Sequence, residues 1–279
     1  MFLRDGLLAF FVWMGLPGTG TAETQPIACD GLAIQGGLLL CEAPAGSTLR
    51  VAGPDGEARR NVPVNADGVA TIGLKRAETL TLIVSSIEHD IPVETVTLTA
   101  RDDPFRTIEG LDCDKVDART EEQKAHASRS WVKKQDAFKT FHDGPGAQTG
   151  FLRPSEGPAS SPFGPARKYI GVGKDGETCE KTSIHRGYDI AIPTGTEISA
   201  PAAGTITLGD PDLYYEGGTV FLDHGDGLVS VFMHMSEVDV SPGEVVAAGA
   251  RLGAPGFGTR KPHRGHLRDA RRRVRRRRR

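Results

Sequence analysis

From Gln35 to Ala100 the chain alternates short apolar runs with turn signals. The runs GGLLLCEAP, STLRVAG, VATIGL, TLTLIVSS and VETVTLTA read as strands, and GPDGE and NADG read as the turns between them. Strand-like runs at this density predict a small β-sandwich over 27–101. The pattern then changes. DARTEEQKAHASRSWVKKQDAFKTF, Asp117 to Phe141, has no proline or glycine and is rich in helix formers, with Thr120 and Gln123 at capping-box spacing. It predicts a helical linker, placed at 102–145, and HDGPGAQTG breaks the chain before Phe151. From there to about Gly258 the runs TEISAPAAGTITLG, GTVFLDHG and LVSVFMHM alternate with period two. They predict a second, antiparallel β-sheet domain over 146–262, so the chain reads as mainly β.

Composition agrees with that reading. Thirty-five glycines and 18 prolines, with 6% aromatic residues, suit a turn-rich β protein better than a helical bundle. The net charge of −2 is an average of two populations. Twelve Lys and Arg lie between Arg260 and Arg279, where Asp269 is the only acid, so the rest of the chain is strongly acidic. Such a block repels itself, and 263–279 is expected to be a disordered basic tail. At the other end, Arg4 precedes the apolar run GLLAFFVWMGL, and Gly20 and Ala22 stand at −3 and −1 of a cut after Ala22. This predicts an export signal over 1–22. The run is short for a membrane span, which needs about 20 residues, and an uncleaved anchor is the alternative.

An exported chain can oxidise its cysteines. Cys29, Cys41, Cys113 and Cys179 allow three pairings, of which Cys29–Cys41 with Cys113–Cys179 is the expected one. There is no C-x-x-C, which argues against a zinc knuckle or a thioredoxin-like site. No glycine-rich phosphate loop and no G-x-S-x-G elbow occur.

The candidate chemistry begins with HRGYD, which sets His185 four residues before Asp189. Imidazole and carboxylate are ordinary zinc ligands, but the pair alone is a weak signal. Its surroundings add to it. SSPFGPARKY lies upstream, HRGYDIAIPTGTEISAPAAGTI contains the pair, and VFLDHGDGLVSVFMHMSEVDVSPGEVVAAGARLGAPG follows. In that order, from about Phe151 to Gly258, the chain resembles the lysostaphin/LytM-type zinc metallopeptidases, which cut peptide bonds in bacterial peptidoglycan.

The resemblance implies a LytM-like C-terminal domain, one zinc ion, and roles for single residues. His185 and Asp189 match the first two metal ligands. His234 matches the histidine that orients the attacking water or assists its deprotonation. His224 matches a position read as structural, bonded within its turn. The family closes on an H-x-H motif, whose nearest counterpart here is GHLRD. His266 matches its first histidine, which helps stabilise the reacting carbonyl oxygen. Arg268 stands where the third zinc ligand is expected. A guanidinium has no lone pair to donate, and catalytic zinc normally takes three protein ligands. The resemblance therefore implies weakly held zinc and impaired hydrolysis in this chain, with His263 or a shifted His266 as substitute ligands.

Two function classes follow. One is a zinc endopeptidase of the periplasm or cell envelope, with peptidoglycan as its substrate. The other is a non-catalytic domain of the same fold that binds the wall or regulates another hydrolase. Nucleic acid is not an expected partner, because the tail has no aromatics interleaved for base stacking. An anionic surface suits it better. A reading-frame change just after Gly258 is one origin for the arginine run.

Overall fold

The computed structural model describes residues 25–140 and 142–256, and the backbone of 265–266 and 271–272. The N-terminal region contains β1 (Ala28–Gly31), β2 (Leu38–Glu42), β3 (Thr48–Ala52), β4 (Ala58–Pro63), β5 (Val69–Gly73), β6 (Thr81–Ser86) and β7 (Glu94–Thr97). They form two sheets, in the orders β1-β2-β5 and β4-β3-β6-β7. Leu39, Cys41 and Ile72 from the first sheet meet Leu49, Val51, Leu82 and Val84 from the second in one buried core. This is the expected sandwich. The apolar pattern does not announce β1 and β4, and both are edge strands. β4 ends on Pro63, a residue that edges tolerate and central strands do not.

The stretch expected as a helical linker opens with a strand. β8 (Arg106–Asp112) is followed by α1 (Cys113–Val116) and α2 (Glu121–Ala137). β8 pairs in parallel with β10 (Ala166–Val172), which pairs antiparallel with β11 (Thr178–Ile184). α2 begins on the expected capping box. The Gln123 N–H donates to the Thr120 hydroxyl, and the Thr120 N–H donates to the Gln123 side chain. Its C-terminal end reaches the C-terminal sheet through the cap residue Phe138 against Phe221, with ring centroids 4.7 Å apart. Lys133 adds an ion pair to Asp210, and Lys134 adds one to Glu216.

Beyond α2 come β9 (Ala159–Ser161), β12 (Asp189–Ile192), β13 (Ile198–Ser199), β14 (Gly204–Leu213), β15 (Gly217–Asp223), β16 (Leu228–Val238), β17 (Val245–Val246), β18 (Arg251–Pro255), β19 (Gly265–His266) and β20 (Arg271–Arg272). The main sheet runs β13-β18-β16-β15-β14-β17, with β20 also on β16. A small sheet runs β19-β12-β9. Ile190 and Ile192 of β12 share a core with Phe232 and Met235 of β16, which lays the small sheet against the large one. The chain is mainly β, as expected.

Both expected disulfides are formed. Cys29–Cys41 staples β1 to β2, and Cys113–Cys179 ties α1 to β11 across 66 residues. No described helix is long and apolar enough to cross a membrane. The export segment 1–22 lies outside the described residues. Within 263–279, four residues have paired strand backbone: Ala191 pairs with His266, and Leu228 with Arg272. The remainder of that stretch, including His263 and Arg268, lies outside the described residues.

Candidate metal centre

His185 sits between β11 and β12 and is 3% exposed; Asp189, the first residue of β12, is 5% exposed. Burying such groups is costly unless each polar atom has a partner, and here partners are found. The His185 backbone is held on both sides: its N–H donates to Pro165 O, and its carbonyl accepts from the Gly164 N–H, both at 2.8 Å. Its ring Nδ1 lies 2.7 Å from Pro162 O and its Nε2 lies 3.0 Å from Asp189 Oδ1. A carbonyl oxygen can only accept, so Nδ1 carries the hydrogen. In the neutral imidazole, Nε2 then presents a lone pair to a carboxylate oxygen.

Two electron-pair donors facing each other need a positive centre between them, either a second ring proton or a metal. The spacing suits a metal. Donors on a tetrahedral zinc with bonds of about 2.0 Å lie about 3.3 Å apart, close to the observed separation. A metal-ligating histidine also usually gives its other N–H to a carbonyl or carboxylate, as Nδ1 does here.

Sequence reasoning did not assign Arg167, a buried residue of β10. Its guanidinium lies 3.4 Å from Asp189 Oδ2 and also donates to the Ser161 hydroxyl. It occupies the outer oxygen of Asp189 and leaves Oδ1 turned towards His185. The signal was present in SSPFGPARKY, which carries both Ser161 and Arg167.

His234 lies on β16 at an irregularity of the ladder. Met235 pairs with Gly218 and Phe232 with Val220, so Met233 and His234 together oppose Thr219. Such a bulge re-aims a side chain. His234 has φ +62°, a left-handed conformation uncommon outside glycine and costly unless its surroundings enforce it. The strand is held on both sides there: the His234 N–H donates to Glu216 O, and its carbonyl accepts from the Gly256 N–H. His266 has its backbone on β19, which lies against both β12 and β16. The structure thus brings His185 and Asp189 into contact. It carries the backbone of His266 alongside the strand of Asp189, and places His234 on the strand at the other side of β19. Among the described residues no group of three or more His, Cys, Asp or Glu side chains converges as a metal site.

His224 behaves differently. It is wholly buried. Its Nδ1–H donates to Ala203 O, and its Nε2 accepts from the Ser230 hydroxyl, both at 2.8 Å. Burial pushes its imidazole below the ordinary histidine range. Both ring nitrogens are used within the fold, which is a structural role, although Ala203 is far from it in sequence.

Residues 183–273 match the model of Peptidase family M23. The match starts later than the resemblance read from the motifs and runs past Gly258, through His266 and Arg268. An uncharacterized metalloprotease of Haemophilus influenzae is 34% identical over 100 residues, 35% of this chain and 19% of that protein. The peptidoglycan DD-endopeptidase ShyA of Vibrio cholerae is 29% identical over 77 residues, 28% of this chain and 18% of that protein. The chain therefore spans less than a fifth of the length of these relatives. A crystal structure of a candidate M23 peptidase from Pseudomonas aeruginosa superposes with a TM-score of 0.54 at 25% identity, covering 85% of this chain and 88% of that one. With these motifs in order and that segment matched, the C-terminal region of the chain resembles peptidase family M23 over residues 183–273.

Proposed function

We propose that the chain is a zinc-dependent endopeptidase of the bacterial cell envelope that hydrolyses peptide crosslinks in peptidoglycan, with its activity impaired by Arg268. The observation that carries this reading is the His185–Asp189 pair, 3.0 Å apart, buried, and each held from behind by a second partner. His185 Nε2 and Asp189 Oδ1 would hold the zinc ion. Bound zinc supplies Lewis acidity, acidifying water towards a pKa of about 7 and polarising a carbonyl. The chain's own residues do the rest. His234 takes or steers the proton of the attacking water. His266 donates to the reacting carbonyl oxygen as charge develops there. The water oxygen bonds to the carbonyl carbon, the C–N bond breaks, and the leaving amine receives the proton. Two disulfides and the signal-like N-terminus support export.

Arg268 supports the second reading, a wall-binding or regulatory domain that does not cut. Digestion of purified sacculi separates the two. This chain should release few crosslink peptides, Arg268→His should release more, and adding His185→Ala to that variant should abolish release. An Arg268→His chain that takes up zinc and binds sacculi but releases nothing would overturn the endopeptidase in favour of the binding domain.

A further inference from the structure

Three successive carbonyls precede the candidate metal centre, and they point to two different parts of the chain. Pro162 O accepts from the His185 ring at 2.7 Å. Phe163 O accepts from the Arg101 guanidinium. Gly164 O accepts from Arg76 Nε at 2.6 Å. Arg76 follows β5 of the sandwich, and Arg101 closes the sandwich region. Asp103 holds the two together: its carboxylate lies 2.8 Å from Arg101 and 3.1 Å from Arg76 and is itself buried.

The fit is close on both sides. The Arg101 guanidinium lies over the Phe163 ring, 5.0 Å from its centroid, a cation–π distance. Phe163 in turn fills the space beside Gly36, where an added Cβ would come within 2.5 Å of the ring. A Cβ on Gly164 would come within 2.3 Å of Asp103, and Gly164 has φ +118°. Only glycine allows the arginine–aspartate cluster to approach this loop so closely.

We infer that the N-terminal sandwich is part of the metal centre's support: Arg76, Asp103 and Arg101 are positioning residues that fix the loop 162–164, and through the Pro162 carbonyl they fix the tautomer and orientation of the His185 ring. The inference rests on the proposed metal pair but is read separately from it. A loop free to rotate its Pro162 peptide would let His185 adopt either tautomer, and only the Nδ1–H form offers Nε2 to a metal.

Long-range 1H–15N spectra of the metal-free, full chain read the ring directly, with His185→Ala to assign it. With the ring brought to its neutral form at alkaline pH, the intact chain should show the one remaining proton on Nδ1, as a single tautomer. Arg101→Gln and Asp103→Asn should give a mixture of tautomers. On the Arg268→His background they should weaken zinc binding by about three- to tenfold, below the 10–100-fold cost of losing a ligand's direct partner. Arg101→Lys should restore part of the effect. Should either variant fail to fold, Arg76→Gln removes the Gly164 and Asp103 contacts of a more exposed side chain and should give a smaller shift of the same kind. An unchanged ring tautomer and unchanged zinc affinity in folded variants would overturn the inference, as would a wild-type His185 in the Nε2–H form. A ring that responds in a chain taking up no zinc on either background would sustain the positioning role and sink the metal pair.

Discussion

The sandwich and the C-terminal sheet are both closed β cores, yet they bury different chemistry. The sandwich buries aliphatic side chains, with Ser47, Thr71 and Glu78 as its polar exceptions among the described residues. The C-terminal region buries Arg167, His185, Asp189, Asp210, Asp223 and His224, with Thr219 and Ser230 between them. Apolar burial stabilises without direction. Buried charge is tolerated only where geometry satisfies it, and losing one partner strands the other. The first region is therefore a support and the second carries a site. Even the sandwich's buried Glu78 is spent on support, paired with Arg60 at 2.8 Å.

The largest expected effect breaks the charged side of this comparison. Asp189→Leu strands the buried Arg167 guanidinium and should cost about 3–5 kcal/mol of unfolding free energy in chelator-treated protein. Adding Arg167→Leu should recover a good part of that loss. A double variant destabilised by the sum of the two single substitutions in a urea titration would mean that the pair is not coupled. A smaller effect comes from the apolar side. Leu82→Ala, in the centre of the sandwich, should cost about 3 kcal/mol. The cost should be the same at pH 5 and pH 8, since no titrating group is lost.

The smallest effect separates two groups by their pH dependence. Burial lowers the His224 imidazole below its ordinary value of 6.5. The unfolded chain then binds the proton more readily, so this contribution is present above 6.5 and is lost as pH falls below it. Burial raises the Asp226 carboxyl above 3.8, against hydrogen bonds from Asn65 and Thr71 of the sandwich. Its contribution has the opposite sign: it is greatest below 3.8 and is lost as pH rises through the folded value. His224→Phe should flatten the thermal-stability profile just below pH 6.5 and leave the profile near pH 4 unchanged. A profile that keeps its slope below 6.5 would assign that slope to another group.

Much of the fold was legible because period-two alternation and turn chemistry are local. The runs around Leu39, Val51, Ile72, Val84 and Val96 all became strands. The edge strands β1 and β4 were not legible, since an edge need not be apolar. β8 was missed for a related reason: it is mostly exposed and gains its place from a parallel partner some sixty residues away. At the site, the i, i+4 spacing of His185 and Asp189 was readable, and so was the pair of disulfides as one of three options. Arg167 and the Arg76–Asp103–Arg101 cluster were not. Their meaning depends on which loop they touch, and a sequence does not display the distance between Asp103 and Gly164.

The central claim is that His185 and Asp189 are two ligands of one zinc ion. The most direct test is a zinc titration of the full chain, of His185→Ala and of Arg268→His, followed by calorimetry. Binding should be weak in the chain as it stands, no greater than background in His185→Ala, and markedly tighter in Arg268→His. One zinc per chain held tightly in His185→Ala, or identical isotherms for all three proteins, would contradict the claim.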